Sequence, residues 1–402
     1  MSWARGLWLR DLDTPAAAQA VWRHPSFRDR APLEVAMSRY FFAPFDHQEV
    51  CVGDRFARRA AWSRAALGRM PIDAVAEAAA RHTEAWLDQL PATVPSLLAA
   101  VRRLTLPLMC ELTLGHDAGA EVAPVAARAV ADIDASIKLM ARPHLAVRRA
   151  LGSRLDTILR GDLPAPSLVA AARAAGADLP RSEAVHQVAA SMLATGTIQL
   201  TDVVTHALIA RAQHPDQVAA ASVAAWVAET VRCFPVNASV TRINDGGPVR
   251  VAGLHFPAGT AVSASPRRLN RRLHHRLDAF RAASDDAAPD PAFAFGWGPR
   301  ACPAQRFGLV ALTAMLRRLR ARLEVRIPTG TAHRRSLALP VPASLGRRGP
   351  GATPLPEPPS PPAWRPRIRY AATCAYAYPA AFFTALSARS PGLQGPSCRS
   401  DL

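Results

Sequence analysis

Lysine is nearly absent from this 402-residue chain: Lys138 is the only one, so almost all of the 49 basic side chains are arginine. The arginines are scattered along the chain and form no stripe with interleaved aromatic residues, which argues against a nucleic-acid-binding surface. The net charge of +18 leaves two interpretations open. Either the charge reflects a compositional bias of the coding sequence, or the arginines form a basic face that docks an acidic partner.

Paired cysteines and strongly apolar runs are also lacking. The six cysteines are widely separated and form no Cys-x-x-Cys motif, so the sequence predicts neither a zinc site nor a disulfide framework. The amino terminus mixes charges with short apolar runs and does not resemble a signal peptide. We therefore expect a protein of the reducing cytoplasm. Residues 370–388 carry no charge but are only weakly apolar, so we expect no membrane span.

Helical periodicity dominates the first part of the chain, and short strand-like runs follow it. A long apolar helix is predicted over Ser191–Gln213, and another helix over residues 305–323. Beyond residue 340 proline is frequent, which excludes packed helices there. We predict a mainly α fold with a minor β portion over residues 1–346 and a Pro-rich, disordered carboxyl-terminal tail over residues 347–402.

A glycine-rich loop, Phe295-Gly-Trp-Gly-Pro-Arg-Ala-Cys302, precedes the last predicted helix. Its glycines imitate a dinucleotide-binding fingerprint, but no βαβ unit with a downstream acidic residue surrounds them. The alternative is a loop that brings backbone close to a flat ligand and presents a cysteine near a helix amino terminus, where the thiolate is favoured. A lone cysteine more often only packs in a core, but the flanking residues favour the ligand-binding interpretation.

This loop resembles the heme-binding loop of the cytochrome P450 family, Phe-x-x-Gly-x-Arg-x-Cys-x-Gly. It matches at Phe295, Gly298, Arg300 and Cys302 and departs at Ala304, which replaces the last glycine. The resemblance implies heme b as cofactor, with the Cys302 thiolate as iron ligand. It also implies that Phe295 shields the sulfur.

Other stretches resemble the same family in the same order along the chain. Glu229 and Arg232 match its Glu-x-x-Arg motif, whose spacing lets the two side chains meet on a helix. By this resemblance they hold the scaffold below the heme, with Arg281 as the candidate for a third contact. An ordinary surface ion pair is the alternative.

Three arginines are implied as partners of the heme propionates: Arg58, Arg242 and Arg300. Charge-assisted hydrogen bonds would join each to a carboxylate. Arg58 lies where the family often has the arginine of a His-x-x-x-Arg motif, and Asp54 stands in the place of the histidine. One propionate contact is therefore expected to be lost.

The helix expected on the distal face of the heme departs from the family pattern, Ala/Gly-Gly-x-Asp/Glu-Thr. Gly196 takes the place of the glycine that makes room for dioxygen, but Ile198 and Gln199 stand where the acid and the threonine belong. The acid–alcohol pair that relays protons is therefore absent. Gln199 can donate a hydrogen bond but cannot titrate, and the hydroxyls of Thr195 and Thr197 either serve the site or bond helix carbonyls.

The family resemblance implies a bacterial-type monooxygenase of secondary metabolism, which inserts one atom of O2 into a small organic substrate. Its electron donors would be a ferredoxin and a ferredoxin reductase, docking near Arg306. The short segment before residue 16 predicts a P450-like fold without the usual N-terminal helix and first strands. Phe41, Phe42 and Phe45 line the distal pocket or belong to the core. Two alternatives stay open: peroxide-driven or rearrangement chemistry, and a catalytically impaired or non-catalytic scaffold.

Overall fold

The computed structural model describes residues 9–138, 140–237, 239–273, 280–282, 292–328, 341–348 and 355–358. Within them the chain is mostly helical with three small sheets, which confirms the predicted mainly α fold. Most of the predicted tail, including residues 370–388, lies outside the described residues, so the domain boundary stays a prediction. In the part that is described, no helix is both long and apolar enough to cross a membrane.

Serine and threonine caps start several of the helices. Ser96 and Ser222, for example, accept hydrogen bonds from the amides of Ala99 and Ala225, which satisfies donors that a helix start leaves open. In chain order the described α-helices are α1 (Pro15–Arg23), α2 (Pro32–Phe42), α3 (Gly53–Arg69), α4 (Ile72–Asp88), α5 (Leu97–Leu114), α6 (His116–Ile137), α7 (Leu145–Ile158), α8 (Leu168–Ala174), α9 (Arg181–His186), α10 (Gly196–Gln213), α11 (Pro215–Ala220), α12 (Val223–Cys233), α13 (Pro266–Leu273) and α14 (Gln305–Arg322).

The strands are short and lie at the edge of the helical body. They are β1 (Leu9–Asp11), β2 (Thr93–Val94), β3 (Val240–Ile243), β4 (Val249–Val251), β5 (Leu254–Phe256), β6 (Ala261–Ala264), β7 (Leu323–Arg326) and β8 (Ala343–Arg347). The sheets have the orders β1-β6-β3, β2-β8-β7 and β4-β5. β1 pairs in parallel with β6, and β3 pairs antiparallel with it. No strand was expected before the first helix, but the structure has one there, because β1 precedes α1.

A long helix runs through the middle of the core. α9, a π-helical stretch over Gln187–Thr195 and α10 follow one another without a break, and we call residues 181–213 the central helix. The π winding lets Thr195 Oγ1 donate to the carbonyl of Ala190, five residues earlier, at 2.8 Å. Because α5, α12 and α14 all pack against α10, the central helix is apolar around most of its circumference.

The only lysine is part of this packing. Lys138 Nζ lies 2.8 Å from Asp134 Oδ1 and 2.7 Å from Asp202 Oδ1, and Arg102 also bonds Asp134. Burial raises the pKa of Asp202 to about 6, against the effect of Lys138. Two carboxylates and two cations therefore balance one another in the core between α5, α6 and α10.

Candidate functional site

The loop that ends at Cys302 runs directly into α14. The Cys302 amide donates to the carbonyl oxygen of Phe295 at 2.7 Å, which closes the loop on itself. Of the described cysteines, Cys302 alone is not fully buried. Burial still raises the pKa of its thiol to about 11, against the effect of the nearby Ala304 amide. A thiol in this environment needs a cation, such as a metal ion that displaces the proton, to become a thiolate.

Gly298 holds this loop against α1. Its φ is +72°, and a Cβ at this position would lie 2.1 Å from the carbonyl oxygen of Trp22. No other residue type fits such a close approach of two backbones. The guanidinium of Arg23 lies over the Trp297 ring, 4.6 Å from its centroid, so α1 supports the loop from outside.

Arg300 is a buried anchor of the loop. Its guanidinium bonds Asp29 Oδ1 at 2.7 Å and lies over the Phe56 ring, 3.7 Å from the centroid. It also donates to three backbone carbonyls, those of Arg28, Glu49 and Cys51. These bonds tie the Cys302 loop to residues 47–51, which we call the bridging segment.

The bridging segment also contacts the central helix. The Gln48 amide donates to Ser191 Oγ at 3.3 Å, and His47 Nε2 lies 3.0 Å from Thr195 Oγ1. One short segment therefore connects the Cys302 loop, through Arg300, to the middle of the central helix. Loop, segment and helix together border one region of the protein interior.

One face of the central helix is open at this place. From residue 187 to residue 211 all residues are buried except Ser191, Thr195, Gly196 and Gln199. Their spacing of four, five and eight residues places them on one side of the helix. We call these four residues the open face, and three of them are polar.

The residues predicted to lie on the distal side of the heme fall into two groups, exposed on the open face or buried. Thr195, Gly196 and Gln199 belong to the open face, whereas Thr197 and Ile198 are buried. The Thr197 hydroxyl has no hydrogen-bond partner in the described structure. Gly196 also serves packing, because a Cβ there would lie 2.7 Å from Met109 Cε and would displace the end of that side chain.

Arg242 in β3 is a buried cation without a carboxylate partner. Its side chain is 2% exposed and donates to the Thr241 carbonyl at 2.8 Å. No carboxylate in the described part of the chain lies within ion-pair distance of it. Burial, reinforced by repulsion from Arg30, lowers the pKa of Arg242 to about 9. A buried guanidinium with spare donors is suited to an anionic ligand.

Glu49 of the bridging segment carries the negative charge in this region. It bonds Arg30 Nε at 2.7 Å. Burial by itself would raise the pKa of Glu49, but the charges of Arg30, Arg300 and Arg242 lower it to about 2. The Glu49 carboxylate is therefore ionised at neutral pH and offsets part of the arginine charge.

Arg58 lies apart from the other two arginines predicted to bind propionates. It is half exposed on α3 and pairs with Glu183 at 3.0 Å. The next residue, Arg59, is the fully buried one, and it donates to the Asp46 carbonyl at 2.7 Å. The structure therefore bonds Arg300 to the bridging segment and places Arg242 close enough for its charge to act on Glu49, but it leaves Arg58 paired on the surface.

Glu229 and Arg232 form a fully buried pair on α12. Two parallel hydrogen bonds of 2.7 Å join the carboxylate and the guanidinium. Arg281 does reach Glu229, as a backbone amide at 2.8 Å. Burial would raise the pKa of Glu229, but the Arg232 hydrogen bond and the Arg281 amide lower it. Asn270 links the end of α12 to the stretch before the Cys302 loop by bonding the Arg232 carbonyl and the Phe293 amide.

The three phenylalanines of α2 and the turn after it are core residues. Phe41, Phe42 and Phe45 are all buried in the main hydrophobic cluster. Phe42 stacks on His47, with 4.6 Å between the ring centroids. It thereby supports the bridging segment.

The arrangement fits a heme group. Heme is a flat apolar ring with two carboxylates and an iron that takes an axial ligand. The structure offers an accessible cysteine at a helix start, a buried arginine without a carboxylate, and a helix face that is open in an otherwise closed core. His47 and Glu49 also belong to this region. Neither is predicted from the sequence, because no motif connects a loop before α3 to the central helix.

The described chain is thus a helical body in which a cysteine loop precedes the last long helix and is joined, through the bridging segment, to a central helix with an open polar face. Comparison with known proteins agrees with this resemblance: residues 208–348 match the family model of cytochrome P450. The recognised resemblance is therefore confirmed, and the chain has the cytochrome P450 fold. No curated protein sequence matches it.

Solved cytochromes P450 share the fold at low sequence identity. A six-coordinated cytochrome P450 from Thermus thermophilus superposes with a TM-score of 0.66 at 19% identity, over 85% of this chain and 93% of that one. P450 OxyD, involved in the biosynthesis of vancomycin-type antibiotics, gives 0.65 at 18% identity, over 85% and 90%. P450BioI, solved with an acyl carrier protein carrying hexadec-9Z-enoic acid, gives 0.61 at 12% identity, over 83% and 91%.

Proposed function

We propose that the chain is a cytoplasmic heme-thiolate monooxygenase that holds heme b through Cys302. The observation that carries this proposal is the position of Cys302: it is the one described cysteine with access to a ligand, and Arg300 and the bridging segment connect its loop to the open face of the central helix. When bound, heme supplies the binding and reductive activation of O2, one atom of which passes to the substrate.

The chain's own residues have separate roles in holding the heme. Arg242 binds a propionate, because its buried charge has no carboxylate partner. Arg300 orders the wall of the site through its backbone bonds, and a propionate contact of Arg58 stays a prediction. The Ala304 amide bonds the sulfur of Cys302. Phe295, whose carbonyl accepts from the Cys302 amide, is proposed to shield that sulfur.

The electron donors are proposed to dock next to the Cys302 loop. A groove of about 750 Å³ begins at the residue after Cys302 and lies between the start of α4 and α14, lined by Pro303, Arg306 and Arg317 among others. A small acidic iron–sulfur protein, a ferredoxin served by its reductase, matches the charge of these arginines. Docking at this groove brings the donor close to the Cys302 loop.

The substrate class follows from the neighbours and the open face. We propose a small organic secondary metabolite, since a structural neighbour acts in antibiotic biosynthesis. An open face that presents three polar side chains on an otherwise buried stretch of helix suits a mostly apolar molecule with a few oxygen or nitrogen groups.

One observation favours a second candidate, a catalytically impaired or non-catalytic heme-thiolate scaffold, or an enzyme driven by peroxide. Ile198 is buried where an acid would stand, and Gln199 replaces the alcohol. Such a chain would load heme but would consume reductant without forming product, or would form product only from peroxide.

The test is heme loading and turnover of the purified chain and two variants. The wild type should take up one heme per chain and form oxygenated product with a surrogate ferredoxin and reductase. Cys302→Ala should lose thiolate-ligated heme, and Cys110→Ala, at a cysteine buried in α5, should retain it. Heme loading that is unaffected by Cys302→Ala contradicts the proposal, and loading without product favours the scaffold.

A further inference from the structure

The open face has a hydrogen-bonded pair of side chains that the family motif does not contain. His47 of the bridging segment lies 3.0 Å from Thr195 on the central helix. Thr195 is one helical turn before Gln199, the position where the acid–alcohol pattern places its threonine. We infer that Thr195 is the hydrogen-bond donor of the open face and that His47 is the residue that positions it. This inference rests on the proposed function.

The tautomer of His47 follows from its contacts. His47 Nδ1 accepts a hydrogen bond from the Glu49 amide at 3.2 Å, so Nδ1 carries no proton. Neutral imidazole then has its proton on Nε2. Since Nε2 faces Thr195 Oγ1, the histidine donates and the threonine oxygen accepts.

Burial keeps this imidazole neutral. Burial is the largest cause that lowers the pKa of His47 to about 4; Glu49 acts in the opposite direction, and Arg30 and Arg59 add to the lowering. Phe42 covers one side of the ring. At neutral pH the His47 ring therefore has a fixed orientation and a single proton, and its partner on the central helix is Thr195.

This leaves one function for the Thr195 hydroxyl. Its oxygen already accepts from His47, and its proton points to the Ala190 carbonyl at 2.8 Å, a bond that the π winding makes available. A ligand on the open face can take the same proton when the hydroxyl rotates. Thr197, two residues on, has no such role, because its side chain is fully buried away from the open face.

Nitrogen-15 NMR of histidine-labelled protein tests the pair without heme, with His47→Phe to assign the signal. The wild type should show His47 as the Nε2–H tautomer, and Thr195→Val should shift its resonances. Thr205→Val is the matched control, because Thr205 bonds a carbonyl four residues earlier on the same helix at 2.7 Å. An Nδ1–H tautomer, or a His47 signal unaffected by Thr195→Val, overturns the inference.

The infrared stretch of carbon monoxide bound to the heme-loaded, reduced chain tests donation to a ligand. A donor near the ligand oxygen lowers this frequency, so Thr195→Val and His47→Phe should raise it, whereas Thr195→Ser and Thr205→Val should leave it near the wild-type value. An unchanged band in Thr195→Val overturns the donor role. If no thiolate-bound heme forms at all, the proposed function fails and the donor role fails with it, while the NMR result still decides the His47–Thr195 bond.

Discussion

At Arg242 a positive charge is held where solvent barely reaches it. Transfer of an unpaired charge out of water is costly, and the usual solution is a carboxylate within reach, as Glu49 provides for Arg30. Arg242 has only the Thr241 carbonyl. A residue that costs stability in the chain alone is explained when a ligand supplies the missing anion.

Arg242→Leu should therefore have opposite effects on the heme-free and the heme-bound chain. Without heme, the free energy of unfolding should rise by about 1–3 kcal/mol, because a buried charge is removed. Heme affinity should fall about 10- to 100-fold, because a charge-assisted hydrogen bond is lost. Urea unfolding of the heme-free chain and heme titration measure the two, with the exposed Arg250→Leu in β4 as control. A heme-free chain that is destabilised by the substitution contradicts this role.

At the scale of elements, the Cys302 loop depends on the two elements that support it. α1 receives the loop through the close approach of Gly298 to Trp22. α12 carries the Glu229–Arg232 pair, which Asn270 of α13 links to the stretch before the loop. The loop itself has few side chains that pack in the core, so its shape depends on these supports.

Gly298→Ala should distort the loop. The new Cβ would clash with a backbone oxygen, and its positive φ costs about 1–3 kcal/mol for a residue other than glycine. The matched control is Gly308→Ala in α14, where nothing lies within 4 Å of the new Cβ. That control should stabilise the helix by up to about 1 kcal/mol. Thermal unfolding and heme content measure both variants, and equal effects of the two substitutions would contradict the explanation.

Glu229→Gln should destabilise the protein by about 3–5 kcal/mol, because it removes the carboxylate charge that two hydrogen bonds join to the buried guanidinium of Arg232. Asp156→Asn removes a surface partner of Arg160 and Arg181 and should cost less than about 1 kcal/mol. Denaturant unfolding compares the two variants. Similar losses of unfolding free energy in the two variants would mean that the buried pair on α12 contributes no more to stability than a surface ion pair.

At the scale of the whole molecule, buried groups with shifted pKa values make the stability of the fold depend on pH. The pKa of His47 is about 4 in the folded chain, below its ordinary value near 6.5. The unfolded chain therefore binds this proton first as the pH falls, and the fold loses stability between pH 6.5 and 4. The pKa of Glu49 is about 2 in the folded chain. The fold therefore loses further stability as the pH falls from the ordinary pKa of a glutamate towards 2. Asp202 acts in the opposite direction, since its raised pKa lets the folded chain bind a proton near pH 6.

His47→Phe should therefore flatten the acid limb of the stability curve. The wild type should lose on the order of 1–3 kcal/mol more than the variant between pH 6.5 and 4. Urea unfolding at closely spaced pH values measures the difference. Parallel curves for the two proteins would show that His47 titrates normally in the folded state.

Much of this molecule could be predicted from its sequence. Periodicity predicts the long helix over residues 191–213 and the helix over residues 305–323, and the structure has both, as parts of the central helix and α14. The motif around Cys302 predicts a loop before a helix, and Gly298 has the positive φ that its close packing requires. These features are local, because neighbouring residues determine them.

The features that could not be predicted depend on distant contacts. Nothing near Arg58 in the sequence shows that its partner is Glu183, 125 residues away. Nothing near His47 points to Thr195, 148 residues away. The sequence also gives no sign that Gly196 accommodates Met109 of α5. Such contacts depend on how helices pack, which periodicity alone does not encode.

The absorption spectrum of the reduced, carbon monoxide-bound chain tests the central claim most directly, namely that Cys302 holds a heme iron as a thiolate. We expect a Soret band at the long wavelength typical of thiolate ligation, lost in Cys302→Ala and kept in Cys110→Ala. A band typical of histidine or neutral ligation, or a chain that binds no heme, would contradict the role of Cys302.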